Sequence, residues 1–294
     1  MSHSPRVLTL ALALVAALLA GCSSGEPASD RPASARPSPG QDRAPSDQAG
    51  GTPRPPRPRA SFDYQLGGAY PPPKGVEAVS RDRSAKPAPG RYNICYVNAF
   101  QAQPGRKAAA WWRAEHPDLL LRDDNGALVI DEDWQEPLLD ISTAAKRTAL
   151  IKVVGRWIDG CARAEFDAVE PDNLDSYTRS DGQLDAADAM AFTRLLVRRA
   201  HASGLAIGQK NTTEFLGKGL GFDFAVAEEC GQYGECGAYV EEFGGRVFDI
   251  EYETKGYETA CDRWGGKLSV VLRDRDVRPA GERGHVFRHC RSTN

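Results

Sequence analysis

Apolar residues in this chain fall into short runs separated by amphipathic stretches, a rhythm that begins only near residue 61. Eight segments read as strands: Asp63–Leu66, Arg91–Asn98, Pro137–Ile141, Asp167–Glu170, Ala206–Lys210, Phe222–Ala227, Arg246–Glu251 and Leu268–Leu272. Several are near-continuous Val, Ile, Leu and Phe, as strands buried on both faces require. Between them, Ala144–Arg163 carries Leu150, Val153, Val154, Trp157, Ile158 and Cys161 on one helical stripe. Asp185 is placed to cap a second helix running to Ser203, with Asp188 in its first turn and Gly204 as its stop. Shorter helices are expected at Lys107–Glu115 and Gly237–Phe243, and Asp124-Asn-Gly126 reads as a turn.

Strands and helices alternating eight times predict an α/β fold of the (β/α)8, or TIM, barrel type. An open doubly wound sheet is the competing architecture, but its glycine-rich first turn is missing, since Asp63–Gly68 contains no GxGxxG. Gly217-Lys-Gly-Leu-Gly221 precedes a strand and reads as a loop, not a phosphate cradle.

The chain ahead of the barrel has a different character. Arg6 and the apolar run Val7–Leu19 end in Leu19-Ala-Gly-Cys22, which resembles a bacterial lipoprotein signal over residues 1–21, with Cys22 the lipidated residue. Residues 22–60 are rich in Pro, Ser, Ala, Gly and Arg and too poor in apolar side chains to offset ordering entropy, so a disordered tether is expected. Residues 61–294 then form one domain, lipid-anchored at the outer face of the cell membrane or secreted, and monomeric. The chain carries a net charge of −3, and removing Arg6 and the slightly basic tether leaves the domain near −6. That balance disfavours nucleic acid and suits a neutral or cationic ligand.

Setting Cys22 aside leaves an even six cysteines: Cys95, Cys161, Cys230, Cys236, Cys261 and Cys290. In an exported chain these read as three disulfides, for which fifteen pairings exist. Cys230–Cys236 suits a local clip, Cys261–Cys290 ties down the C-terminus, and Cys95–Cys161 remains. A zinc site lacks paired CxxC spacing, and the five histidines show no ligand spacing.

Candidate chemistry follows from where polar residues recur. Barrel active sites lie at the C-terminal ends of the strands, and here those ends carry Asp63 and Tyr64, Tyr96, Asp140, Glu170 with Asp172, Asn173 and Asp175, Lys210 and Asn211, Glu228 and Glu229, and Glu251 with Tyr252. A single strand-end acid is often just a helix cap; recurrence around the whole barrel points to a cleft. Tyr70, Trp134, Tyr177, Tyr233 and Tyr252 offer aromatic faces near the same rim. Glycoside hydrolysis needs two carboxylates facing one cleft, and Asp172 and Glu228 suit it. Period-2 alternation puts Glu170 on the side of Asp172, and turns Glu229 away. Asp172, Asn173 and Asp175 could offer oxygens to calcium but lack EF-hand spacing, GxSxG and HExxH are absent, and no metal or cofactor is expected.

Phe62-Asp-Tyr-Gln-Leu66, Phe166-Asp-Ala-Val-Glu-Pro-Asp-Asn-Leu-Asp175, Gly208-Gln-Lys-Asn211, Ala227-Glu-Glu-Cys-Gly-Gln-Tyr233 and Phe248-Asp-Ile-Glu-Tyr252 together resemble glycoside hydrolase family 114, the endo-α-1,4-polygalactosaminidases and relatives, over about Phe62 to Asp274. The resemblance implies endo-cleavage of α-1,4-linked galactosamine-containing polysaccharide with retention. It implies Asp172 as nucleophile and Glu228 as acid/base, with Asp63, Tyr96, Lys210, Asn211 and Glu251 at subsites. Glu229 departs from the amide expected there in relatives. An acidic rim of Glu170, Asp175, Glu229 and Glu251 would attract cationic galactosamine units. The alternatives are a non-catalytic carbohydrate-binding lipoprotein on a retired barrel and an α-glycosidase of different sugar specificity.

Overall fold

The computed structural model describes residues 52–103 and 106–290; the signal segment, Cys22 and most of the expected tether lie outside them. Eight parallel strands follow one another round a single sheet: β1 (Phe62–Tyr64), β2 (Ala78–Asp82), β3 (Tyr92–Asn98), β6 (Ala168–Asp172), β7 (Ala206–Lys210), β8 (Phe224–Glu228), β9 (Val247–Glu251) and β10 (Ser269–Arg273), with β4 (Ile130–Asp131) and β5 (Glu136–Pro137) forming a separate two-stranded ribbon. β11 (Phe287–His289) pairs antiparallel with β10. The barrel is nearly closed: β1 and β10 are joined by side chains, Arg273 Nη1 lying 3.1 Å from Asp63 Oδ1 with both side chains fully buried.

The expected barrel is present, with one exchange among its strands. Pro137–Ile141 is not a barrel strand; only its first residue belongs to β5, and Leu138 and Leu139 make single bridges to Gln101 and Leu120. Its place is taken by β2, hidden in sequence because Ser80, Arg81 and Asp82 break its apolar run. None of the three is left unpartnered: Ser80 and Arg81 are buried and hydrogen-bonded inside the fold, and the half-buried Asp82 accepts from Gln103 Nε2 at 2.9 Å. The first two crossovers also lack helices. They contain Pro71-Pro-Pro-Lys-Gly75 and Lys86-Pro-Ala-Pro-Gly90, and proline removes the backbone donors a helix interior needs.

Inside the barrel, Phe62, Ile94, Phe224, Phe248, Ile250 and Val271 pack into one buried cluster. Gly208 is required there, because a Cβ would sit 2.6 Å from the Phe224 ring. A second core lies between the sheet and the helices α1 (Arg106–Glu115), α2 (Ala144–Arg163) and α3 (Ala186–Ala202). α2 begins where Thr143 accepts from Lys146 N, and buries Leu150, Val153, Val154, Ile158 and Cys161 as its stripe predicts. Asp185 and Asp188 form a reciprocal capping box at the start of α3. The short helices α4 (Cys230–Tyr233) and α5 (Cys236–Phe243) and the longer α6 (Thr254–Trp264) cover β8, β9 and β10.

All three expected disulfides form: Cys95–Cys161 between β3 and α2, Cys230–Cys236 between α4 and α5, and Cys261–Cys290 from α6 to the segment after β11. The first closes the longest loop, 66 residues, worth ~4 kcal/mol on a chain-entropy basis. The chain is engaged with the barrel before residue 61. Tyr92 Oη donates to the Arg54 carbonyl (2.7 Å), Arg59 N donates to the Gly245 carbonyl (2.7 Å), and Ala60 is buried.

Candidate active site

At the C-terminal ends of β6, β7 and β8, three side chains meet. Asp172 ends β6, Lys210 ends β7 and Glu228 ends β8. Lys210 Nζ lies 3.0 Å from Asp172 Oδ1 and 3.1 Å from Glu228 Oε2, so one buried ammonium bridges both carboxylates. Each acid has its own second support. Tyr96 Oη donates to Asp172 Oδ2 (2.7 Å), and Asn173 N donates to Asp172 Oδ1 (2.8 Å). Tyr252 Oη donates to Glu228 Oε1 in a short contact, and Asn211 Nδ2 donates to Glu228 Oε2 (3.1 Å) while its Oδ1 accepts from Glu228 N (2.7 Å).

The backbone bends sharply just beyond each of these strand ends. Asn173, Asn211 and Glu229 all have positive φ, at 64°, 46° and 59°. Asparagine tolerates this left-handed conformation and glutamate does so at a cost. In all three strands the chain reverses immediately after the functional side chain and leaves it facing the mouth.

Charge is balanced beneath the mouth. Glu170 lies one layer deeper on the same face of β6 as Asp172, fully buried. It accepts from Tyr64 Oη (2.9 Å) and Ser80 Oγ (2.6 Å), and sits 3.7 Å from Lys210 Nζ. Burial lifts its pKa to about 7, with Lys210 and the two hydroxyl donors opposing the rise. Burial acts in the same direction on Asp172, but Lys210 and the hydrogen bonds from Tyr96, Lys210 and Asn173 outweigh it and hold that carboxyl below the usual range. For Lys210 burial opposes the charge, and Asp172 and Glu228 more than restore it, keeping the amine protonated.

Above these groups opens a cavity of about 880 Å³, of the size that takes small ligands. Tyr64, Tyr96, Asn173, Asp175, Lys210, Asn211 and Tyr252 line it together with Asp172 and Glu228. Four of the expected binding residues do not reach it. Asp140 accepts from Ser142 N and Oγ and pairs with Lys146 at 3.3 Å, because the segment holding it is not a barrel strand. Asp63 is consumed by Tyr70, Gln65 and Arg273. Glu170 is below the floor. Glu251 alternates with Phe248 and Ile250 and so faces the helices, where its Oε1 accepts from Gly231 N at 2.6 Å. The expected acidic rim is corrected accordingly: of its members only Asp175 lines the cavity, and Glu229 is paired with Arg275 at 2.9 Å.

Other acids replace them. Asp131, Asp133 and Glu136 come from the β4–β5 ribbon, which carries Trp134, 65 % exposed, over the mouth; Asp82 ends β2 and Asp276 follows β10. Glu136 accepts from Asn98 Nδ2 (2.7 Å), and Asn98 Oδ1 accepts from Asn173 Nδ2 (3.0 Å), tying the ribbon to the turn after Asp172. Burial raises the Glu136 pKa to about 7. Arg179 pairs with both Asp131 (2.6 Å) and Asp175 (2.9 Å). In all, eight carboxylates and four cationic side chains line the cavity, leaving it acidic. Sequence reading missed the ribbon, although Asp131-Glu-Asp-Trp-Gln-Glu136 is a dense acidic run around a tryptophan. Among the other aromatics, Tyr70 is buried on Asp63, Tyr177 stacks on Phe215, and Tyr233 is exposed but does not line the cavity.

Comparison with known proteins bears on the family and the fold. The sequence profile described as glycoside-hydrolase family GH114 matches residues 41–294. No curated protein matches the chain in sequence. Among solved structures, Aspergillus fumigatus Ega3 in complex with galactosamine superposes with a TM-score of 0.66 at 23% identity, covering 83% of this chain and 100% of that one. The glycoside hydrolase domain of PelA from Pseudomonas aeruginosa superposes with a TM-score of 0.54 at 16% identity, covering 76% and 98%.

Proposed function

The chain belongs to glycoside-hydrolase family GH114 and is a glycoside hydrolase, and on that basis we propose that it cleaves α-1,4-linked galactosamine-containing polysaccharide internally, with retention, using Asp172 and Glu228. The observation that carries this reading is the single ammonium of Lys210 shared by both carboxylates. The two oxygens that touch it are therefore no more than about 6 Å apart, which supports the closely spaced carboxyl pair that retention needs.

The groups divide the work by their surroundings. Asp172 is held ionised and aimed by Tyr96 and Lys210. Its carboxylate attacks the anomeric carbon and forms a glycosyl ester as the bond to the leaving oxygen breaks. Glu228, held by Tyr252 and Asn211, delivers a proton to that oxygen. In the second step Glu228 takes a proton from water, the water oxygen attacks the anomeric carbon, and the ester to Asp172 breaks. The acidic lining attracts protonated amines, so KM rises a few-fold as ionic strength increases from about 0.05 to about 0.5 M.

The complex of Ega3 with galactosamine, on the same fold, supports a hexosamine as the occupant of this cavity. Mass spectrometry of products from a defined α-1,4-galactosamine oligomer, with time-resolved proton NMR to read the anomer, tests the reading. Shorter oligomers with the α-anomer first released support it; an intact oligomer sinks it, and a β-anomer sinks retention alone. We also propose attachment to the outer face of the membrane through lipidated Cys22, by analogy with lipoprotein signals. Incorporation of an alkyne-tagged fatty acid into the wild type but not Cys22→Ser tests this.

A further inference from the structure

A second cavity, of about 340 Å³, opens beside the first and is lined by Arg83, Gln103, Lys107, Trp111, Trp112 and Trp157. Arg83 and Gln103 line both cavities, so the two are separated by one ridge of side chains. The ridge is well anchored. Gln103 Nε2 donates to Asp82 Oδ2 (2.9 Å), and Arg83 N donates to the carbonyl of Tyr96, the residue that holds Asp172.

The chemistry of the second cavity is the reverse of the first. Its surface is three indoles and an amide with two cations, and no carboxylate lines it among the described residues. Trp112 is buried and fixes the cluster, with Trp111 and Trp157 edge-on against it at centroid distances of 5.1 and 5.8 Å. The Arg83 guanidinium lies 4.4 Å above the Trp157 ring. Trp111 is 38% exposed, which leaves part of its ring open to this cavity.

We propose that this cavity is a distal sugar subsite, which takes an uncharged unit, N-acetylated or plain hexose, of the same polymer chain whose galactosamine units occupy the acidic cavity. The exposed Trp111 indole stacks against the C–H side of a pyranose, with Gln103 and Arg83 meeting its hydroxyls or acetamide. Lys107 and Arg83 repel a protonated amine. The pair of cavities therefore reads a change of substitution along the chain: cationic units at the scissile bond, an uncharged unit beyond the ridge. This rests on the glycosidase reading above for the identity of the polymer.

The test compares wild type, Trp111→Ala and Lys107→Glu on short and long α-1,4-linked galactosamine oligomers, either fully free-amine or N-acetylated at units away from the cleavage point. In the wild type, kcat/KM rises about tenfold from short to long when the distal unit is acetylated, and little when it is a free amine. Trp111→Ala brings the long-to-short ratio near one. Lys107→Glu, an exposed position that leaves the indoles intact, lets long free-amine oligomers gain as well. Length dependence that is the same in all three proteins overturns the proposal, as does a loss in Trp111→Ala that is equal for short and long substrates. Calorimetric binding of the same oligomers carries the same comparison without turnover. A protein that binds with this length dependence but never cleaves leaves the subsite standing and sinks the glycosidase reading.

Discussion

Two sets of acids close neighbouring strands of one barrel. Asp172, Glu170 and Glu228 surround the ammonium of Lys210, whereas Asp249 and Glu251 on β9 have no cationic partner among the described ion pairs. Both sets are deeply placed, and burial pushes every carboxyl toward the neutral form. Around Lys210 the push is reversed at Asp172, which stays ionised. On β9 it is reinforced: burial and mutual repulsion raise Asp249, and burial raises Glu251 despite hydrogen bonds from Gly231 N and Asp249. Carboxylates crowded at strand ends are thus not enough for catalysis. A cation that makes one of them a stable anion, together with a route to the mouth, separates a reacting pair from a structural one.

Removing the two acids proposed to react has the largest expected effect. Asp172→Asn and Glu228→Gln each lower kcat by at least about 10³-fold while near-ultraviolet circular dichroism stays native; unchanged turnover in both would falsify the assignment. Lys210→Met comes next, at about 10²-fold in kcat. Its loss raises the Asp172 pKa, so the acid limb of the pH–rate profile moves to higher pH, and a limb that stays in place contradicts the role given to Lys210.

Smaller effects sharpen the contrast. Glu170, with a pKa near 7, is a positioning residue beneath Lys210. In Glu170→Gln the activity change is a few-fold at pH 6, and any inflection of kcat/KM near pH 7 disappears; retention of that inflection assigns it elsewhere. On β9 the sign is set by raised pKa values. Their stabilising contribution is complete below the unfolded values near 4 and is lost as pH rises through the folded ones. Asp249→Asn removes one such titration, so its melting temperature falls less between pH 4.5 and 8 than that of the wild type, by ~2–4 °C for about 1 kcal/mol. An identical pH slope in both proteins would show that Asp249 does not titrate there.

Much of the site was legible because period and punctuation carry far in sequence. Phe166–Asp175 announces a buried strand that ends in acids, and alternation already places Glu170 with Asp172. The same rule, applied to Phe248-Asp-Ile-Glu251, would have turned Glu251 toward the helices, since Phe248 and Ile250 fill the barrel. Asp140 was misplaced for another reason: the apolar run Pro137–Ile141 serves the helix-side core and not the barrel wall. β2 was missed because its polar residues are satisfied by partners remote in sequence, as when Ser80 donates to Glu170 across 90 residues.

From the residues alone came the barrel, its capped helices, the even set of cysteines and the placing of Asp172 and Glu228 at strand ends, because each depends on local spacing or on residue type. Tertiary structure alone decided which acids are ionised, which are held by buried partners, and that the β4–β5 ribbon brings Asp131, Asp133 and Glu136 to the mouth. The reason is physical: the charge state of a carboxyl is set by the burial and the ion a few ångströms away, and both come from strands far apart in the chain.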